Sequence, residues 1–166
     1  MDIRDEKKEG ESKEILQLVT FRLGKEEYSM DILQVQEIIR HMALTKVPRT
    51  PDFVDGVINL RGRVIPVLDL RKRFGMAADE KTHETRIIVV DVEGKTVGLK
   101  VDAVSEVLRM PASSVEPPPA IVMGVESEYI KGVGKLDSRL IILLDVVKIL
   151  SKSEKDALGN IVETKA

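Results

Sequence analysis

The chain has no cysteine, no tryptophan and only two histidines, and aromatic residues make up 3% of its 166 positions. Without cysteine there can be no disulfide, no thiolate nucleophile and no thiolate-ligated zinc. His41 and His83 stand in no metal-ligand spacing such as His-x-x-x-His, so each is expected to be a solvated or partly buried structural residue. No apolar run approaches the roughly 18 residues that a membrane-spanning helix needs, so no membrane insertion is expected. The net charge of −2 is too small to create a long-range field for nucleic acid. The N-terminus, Met1-Asp-Ile-Arg-Asp-Glu6, lacks the apolar core of a signal peptide. Together these absences predict a soluble cytoplasmic protein.

What the chain does have is aliphatic. It is 43% hydrophobic, so Val, Ile and Leu must fill its core. That material is arranged as a repeat, with residues 19–70 and 89–146 following one pattern. Val35-Gln-Glu-Ile-Ile-Arg40 matches Val104-Ser-Glu-Val-Leu-Arg109 at an offset of 69 (104 − 35). Gly56-Val-Ile-Asn-Leu60 matches Gly132-Val-Gly-Lys-Leu136 at an offset of 76 (132 − 56), as does Arg63-Val-Ile-Pro-Val-Leu-Asp69 with Arg139-Leu-Ile-Ile-Leu-Leu-Asp145. The extra residues fall in an irregular connection that contains Pro117-Pro118-Pro119, too restricted for a helix.

Within each copy the signals are those of short strands and tight turns. Gly24-Lys25-Glu26, Arg61-Gly62, Glu93-Gly94 and Asp137-Ser138 separate alternating or apolar runs as hairpin turns. Asp31 to Val35 reads as a helical turn capped by Ser29 or Asp31, and Glu37 to Arg40 as a strand. Pro66 has no N–H to give a ladder, which places its strand at an edge or a bulge. Asp69 to Phe74 and Asp145 to Leu150 read as short helices. The runs Arg86-Ile-Ile-Val-Val90 and Leu140-Ile-Ile-Leu-Leu144 are apolar at consecutive positions, so both of their faces should be covered. The fold expected is mainly β: two five-stranded barrels from an internal duplication, packed on a shared apolar core, with short helices. One domain, 15–150, is expected to hold a first repeat at 15–75 and a second at 86–150. Polar tails at 1–14, expected to be disordered, and at 151–166 flank it.

The repeat carries no reactive chemistry. Gly94-Lys95-Thr96 lacks the glycine of a phosphate-binding loop, because position 89 is Val. Gly132-Val-Gly134 lacks the third glycine of a dinucleotide fingerprint, because position 137 is Asp. Asp69 and Asp145 are equivalent carboxylates, and each is placed to cap the helix that follows it. Arg61, Arg63, Arg71, Lys72 and Arg73 form one local basic cluster, but the aromatic residues that stack nucleic-acid bases are missing. Arg61 differs from its neighbours. At the tip of an otherwise apolar hairpin, it suits the anchoring of a protein partner. No catalytic residue, metal site or cofactor is expected.

Several ordered motifs then coincide: Phe21-x-Leu-Gly-x-Glu-x-Tyr28, Asp31-Ile-Leu-Gln-Val-Gln-Glu-Ile-Ile39, Val47-Pro48, Phe53-Val-x-Gly-Val-Ile-Asn-Leu-Arg-Gly62, Ile65-Pro-Val-Leu-Asp-Leu-Arg71 and Val115-Glu-Pro-Pro118. From about Ile15 to Leu150 the chain resembles the CheW-like family of chemotaxis coupling proteins. The resemblance implies two SH3-like barrels and a non-enzymatic adaptor, monomeric when free. Its partners would be the cytoplasmic hairpin tip of a chemoreceptor and the regulatory domain of the chemotaxis histidine kinase. Carried over by motif, the receptor-facing positions would be Val35, Glu37, Gly56 and Arg61, with Ile32 and Ile38 as weaker candidates.

Overall fold

The computed structural model describes residues 14–77, 81–118 and 129–150, so the expected tails at 1–14, apart from Glu14, and at 151–166 lie outside the described residues. The first copy contributes strands β1 (Ile15–Leu23), β2 (Glu26–Asp31), β3 (Val35–Arg40), β4 (Val54–Leu60) and β5 (Arg63–Asp69). The second contributes β6 (Arg86–Val92), β7 (Lys95–Val101), β8 (Ala103–Pro111), β9 (Val115–Glu116), β10 (Ile130–Leu136) and β11 (Arg139–Leu144). The tight turns form where the sequence places them. Arg61 and Gly62 take φ of 53° and 85°, and Glu93 and Gly94 take 50° and 83°. Positive φ at both central residues matches the twist of the flanking strands, which suits a two-residue hairpin. The short helix is Leu70–Arg73, and Asp31 and Asp145 each precede a 3-10 turn.

The strands assemble into two sheets, ordered β3-β6-β7-β5-β4 and β8-β1-β2-β11-β10-β9. Each sheet therefore draws on both copies, which corrects the expectation of one barrel per copy. Hairpin β6–β7 of the second copy sits between β3 and β5 of the first. Hairpin β1–β2 of the first sits between β8 and β11 of the second. The exchange is reciprocal, because the repeat aligns β3, β4 and β5 with β8, β10 and β11. It is sealed by two short parallel ladders, Val67↔Gly98 with Leu68↔Leu99 on one side and Tyr28↔Ile142 with Ser29↔Leu143 on the other. The sixth strand of the second sheet is the two-residue β9, and its counterpart in the first is a single bridge, Thr45↔Val57.

Pro66 lies in β5, which runs between β7 and β4 and is not an edge. Its lost N–H is harmless there for a reason of register. Counting from the turn pair Leu60↔Arg63, hydrogen-bonded and unbonded pairs alternate, so Val57↔Pro66 is an unbonded pair. Val57 uses its own N–H and C=O on Thr45 instead, at 2.8 and 2.9 Å. On the far side, the ladder with β7 begins only at Val67.

Three apolar clusters follow from this topology. Ile58, Ile65, Val67, Ile87 and Val89 fill the first sheet's own core, and Leu18, Met110, Ile141 and Leu143 the second's. The largest cluster lies between the sheets and takes Ile88, Val90 and Leu99 from one and Phe21, Tyr28 and Ile142 from the other. Consecutive residues thus serve different cores: Ile87 faces within its sheet and Ile88 faces the partner sheet. This is why these strands are apolar without alternation. All five aromatic residues (Phe 3, Tyr 2) belong to the shared core. Phe21, Tyr28, Phe74 and Tyr129 stack in a column with ring centroids 5.9–6.0 Å apart. Arg73 joins the copies at its end. Its guanidinium lies 4.8 Å from the Phe53 ring and 5.0 Å from the Tyr129 ring, and its Nε donates to the Ile149 carbonyl at 2.8 Å.

Ile88 is fully buried and Ile142 is 1% exposed. Truncating either to Ala is expected to destabilise the protein by roughly 2–5 kcal/mol in denaturant titration. Residues 15–75 and 86–150 expressed separately should not give dispersed NMR spectra, because each half lacks the hairpin that completes its sheet. Two folded halves would refute the dependence on exchange. The glycines make a second test. A Cβ at Gly56, whose φ is 150°, would stand 2.6 Å from the Thr45 carbonyl oxygen, whereas one at Gly62 would meet nothing within 4 Å. Gly56→Ala should cost about 1–3 kcal/mol more than Gly62→Ala, since backbone must move as well as strain. Equal melting temperatures would show that the 44–46 segment yields freely.

Candidate functional site

The first sheet ends in an exposed edge strand, β3, preceded by the 3-10 turn Ile32–Gln34. Asp31 caps that turn by accepting from Leu33 N at 2.9 Å. The tight turn cannot bury all of its side chains, and Leu33 stands 89% exposed, the most exposed large apolar residue described. The register of β3 shifts between Val35 and Glu37. Gln36 is therefore the extra residue of a bulge, and the bulge redirects the side chains on either side of it. Val35 pairs with Val90 and Ile38 with Ile88, both shared-core residues, so Val35 and Ile38 lie on that face. Glu37 pairs with Val89, which faces the first sheet's own core, and so lies on the other face.

Arg61 reaches Glu37 from the tip of the β4–β5 hairpin. Its Nη1 donates to Glu37 Oε1 at 3.2 Å, and its Nη2 donates to Oε2 in a second, shorter bond. The hairpin tip is itself pinned, since Gly62 N donates to Asn59 Oδ1 at 2.9 Å. The guanidinium holds the Glu37 carboxyl below the usual carboxylate range, first through its hydrogen bond and then through its charge, with Arg63 adding to the effect. Glu37 in turn raises Arg61. Both side chains are substantially exposed, so the pair fixes geometry more than it stabilises the fold. Sequence alone suggested that the Arg61 partner would come from outside. The structure supplies an internal one.

The six carried-over positions thus divide. Glu37 and Arg61 are in contact. Ile38, 39% exposed, and half-buried Ile32 and Val35 flank them along the edge. Gly56 is buried, and its lack of a Cβ lets Thr45 bridge to Val57. Leu33 and Met42, 37% exposed, were not selected from the sequence. The available signal for Leu33 was an Ile-Leu pair in a one-turn helix, where only one side chain can face inward.

The other candidate chemistries are absorbed by the fold. Asp69 accepts from Arg71 N at 3.0 Å and Asp145 from Val147 N at 3.2 Å, the expected caps. The basic cluster disperses. Arg63 donates to Thr96 Oγ1 at 2.8 Å, Arg71 pairs with Asp102 at 2.8 Å, Lys72 lies 3.9 Å from Asp55, and Arg73 plugs the shared core. The second copy repeats the site incompletely. Glu106, equivalent to Glu37, pairs at 3.0 Å with Arg139, the counterpart of Arg63, while Asp137 stands where Arg61 would be. Among the described residues, no helix is long and apolar enough to cross a membrane.

A family profile described as "CheW-like domain" matches residues 17–154. The "Chemotaxis protein CheW" of Klebsiella aerogenes is 38% identical over 148 residues, covering 89% of this chain and 89% of that protein. The "Protein FrzA" of Myxococcus xanthus is 30% identical over 141 residues, covering 84% of this chain and 88% of that protein. The crystal structure of the scaffolding protein TtCheW from Thermoanaerobacter tengcongensis superposes with a TM-score of 0.78 at 39% identity, covering 85% of this chain and 91% of that one. With its mainly β fold and motifs in order along most of its length, this chain belongs to the family of CheW-like domains.

Proposed function

We propose that the protein is a non-enzymatic adaptor of a chemotaxis system, and that it couples the cytoplasmic hairpin tips of chemoreceptors to the regulatory domain of a histidine kinase. Family membership supports the coupling role, as do the names of the relatives. The observation that supports the site is the exposed apolar edge formed by Leu33 and Ile38 and framed by the Glu37–Arg61 pair. A receptor tip is a helical hairpin, and an amphipathic helix docks by laying an apolar stripe against such an edge. The ion pair serves there as a polar rim of fixed shape. The adaptor works in the cytoplasm, is a monomer when free and uses no cofactor. It acts on the kinase by binding one conformation of the assembly better than another, because only differential affinity shifts such an equilibrium.

An acid–base enzyme built on Asp69 and Asp145 is the weaker reading. Both carboxylates are committed to caps, and Asp69 also lies 3.3 Å from Lys100 Nζ.

Calorimetric titration against a receptor-tip fragment and against the kinase regulatory domain tests the division of surfaces. Arg61→Ala should weaken receptor-tip binding by roughly tenfold, since it removes a rim residue and leaves the Glu37 charge unpaired beside the apolar edge. Leu33→Ser should weaken it at least as much. Kinase-domain binding and the melting temperature should change little in both variants. Equal loss toward both partners, or loss toward neither, would sink the proposal.

A further inference from the structure

The chain's two histidines, far apart in sequence, meet at a second place, which the adaptor reading leaves unused. The end of β3 and the start of β6 frame an open cavity of about 560 Å³, into which Arg40, His41, Lys81, His83 and Arg86 all face. Among the described residues, no carboxylate lines it. Arg40 and Arg86 are directly opposite each other in the β3–β6 ladder. Like charges in that position repel unless something of opposite sign lies between them. Nothing among the described residues supplies it. Among the described residues, no carboxylate pairs with Arg40 or Lys81. Asp55, whose charge acts on His41, is paired with Lys100 at 2.8 Å, and Glu84, next to His83, is paired with Arg22 at 3.1 Å.

The walls are held in place. Arg86 Nη1 donates to the His83 carbonyl at 2.7 Å and to the Thr85 carbonyl at 3.0 Å, which fixes the guanidinium and leaves its other donors available. Thr82 N donates to Thr85 Oγ1 at 2.8 Å and Glu84 N to Thr82 Oγ1 at 3.1 Å, so the loop carrying His83 is a closed turn. On the opposite wall His41 Nδ1 is buried and has no hydrogen-bond partner among the described residues. Burial, then the charges of Lys81 and Lys100, push this imidazole below its ordinary pKa, against a smaller pull from Asp55.

We infer that this cavity is an anion site that takes the phosphate group of a small molecule between Arg40 and Arg86, with Lys81 and the two imidazoles as further donors. Two guanidiniums and an ammonium with no counter-charge among the described lining residues suit an oxyanion with several acceptor oxygens. The lining holds no aromatic ring beyond the imidazoles, so recognition rests on phosphate and not on stacking of a base. A bound dianion would raise the His41 pKa, because it replaces a cationic surrounding with an opposite charge. Binding should therefore strengthen as pH falls through the imidazole range.

With only two histidines, ring NMR signals report the site directly, and His41→Gln and His83→Gln assign them. The full chain is titrated with inorganic phosphate and with pyrophosphate at ionic strength held constant by chloride. Both rings should shift saturably, and pyrophosphate should bind roughly tenfold tighter than phosphate. Arg40→Gln and Lys81→Gln should each weaken binding by about three- to tenfold with the melting temperature unchanged. Sulfate, a dianion across the range, should bind several-fold tighter at about pH 6 than at about pH 8. Shifts no larger than those given by chloride would overturn the site, as would saturable binding that survives Arg40→Gln with Lys81→Gln. Binding that appears only after Asp79→Asn with Glu80→Gln would assign the cavity to the chain's own carboxylates and overturn it equally.

Discussion

The architecture depends on the shared aromatic core between the two sheets. The first copy makes five strands and the second six, and each places two of them in the other copy's sheet. The exchanged hairpins carry Phe21, Tyr28, Ile88 and Leu99 into the space between, and there they meet Phe74, Tyr129 and Ile142. A chain so poor in aromatics has put all of them at the one place that both copies share. Burying large rings yields the most area per residue, so this is where few aromatics stabilise most. Arg73 caps the column with its guanidinium between rings from both copies.

That arrangement also decides where a binding surface can be. Strands such as β6 and β11 are covered on both faces over Ile87–Val90 and Ile141–Leu144, which leaves those residues inside. What remains outside is the edge of each sheet and the tips of its hairpins. On the first sheet the edge is β3, and the bulge at Gln36 distributes it over two faces, Val35 and Ile38 toward the shared core and Glu37 away from it. A partner lying on Leu33 and Ile38 would thus straddle Val35, which lies two positions from the one and three from the other and packs against the shared core. On the second sheet the counterpart of Arg61 is Asp137. The duplication therefore supplied two similar edges, and divergence at one hairpin tip made them chemically different.

Reading the sequence reached the strands, the turns and the caps, because these are local. Glu93-Gly94 and Arg61-Gly62 turn where they should, and Asp69 and Asp145 cap where they should, since the groups involved lie within a few residues of one another. The apolar runs at 86–90 and 140–144 also revealed a core on each face. Three things escaped. Pro66 pointed to an edge or a bulge, yet it lies in regular register in an interior strand where no bond was due. Gly56 came over by resemblance as a contact residue, yet it is buried under Thr45. Glu37 and Arg61, separated by 24 positions, gave no sign of being partners.

By itself, the sequence determined that this is a duplicated, mainly β chain without thiol chemistry, built from hairpins whose turns and caps are encoded within each segment. Only the tertiary structure decided which hairpin completes which sheet. The two copies carry nearly the same pattern of apolar residues, so local propensity cannot distinguish pairing within a copy from pairing between copies. The choice falls to the arrangement that buries the aromatic column. The same long-range packing brought Arg61 onto Glu37 and set Arg40 against Arg86 beside both histidines. Contacts of this kind depend on distances across the fold, and no spacing along the chain records them.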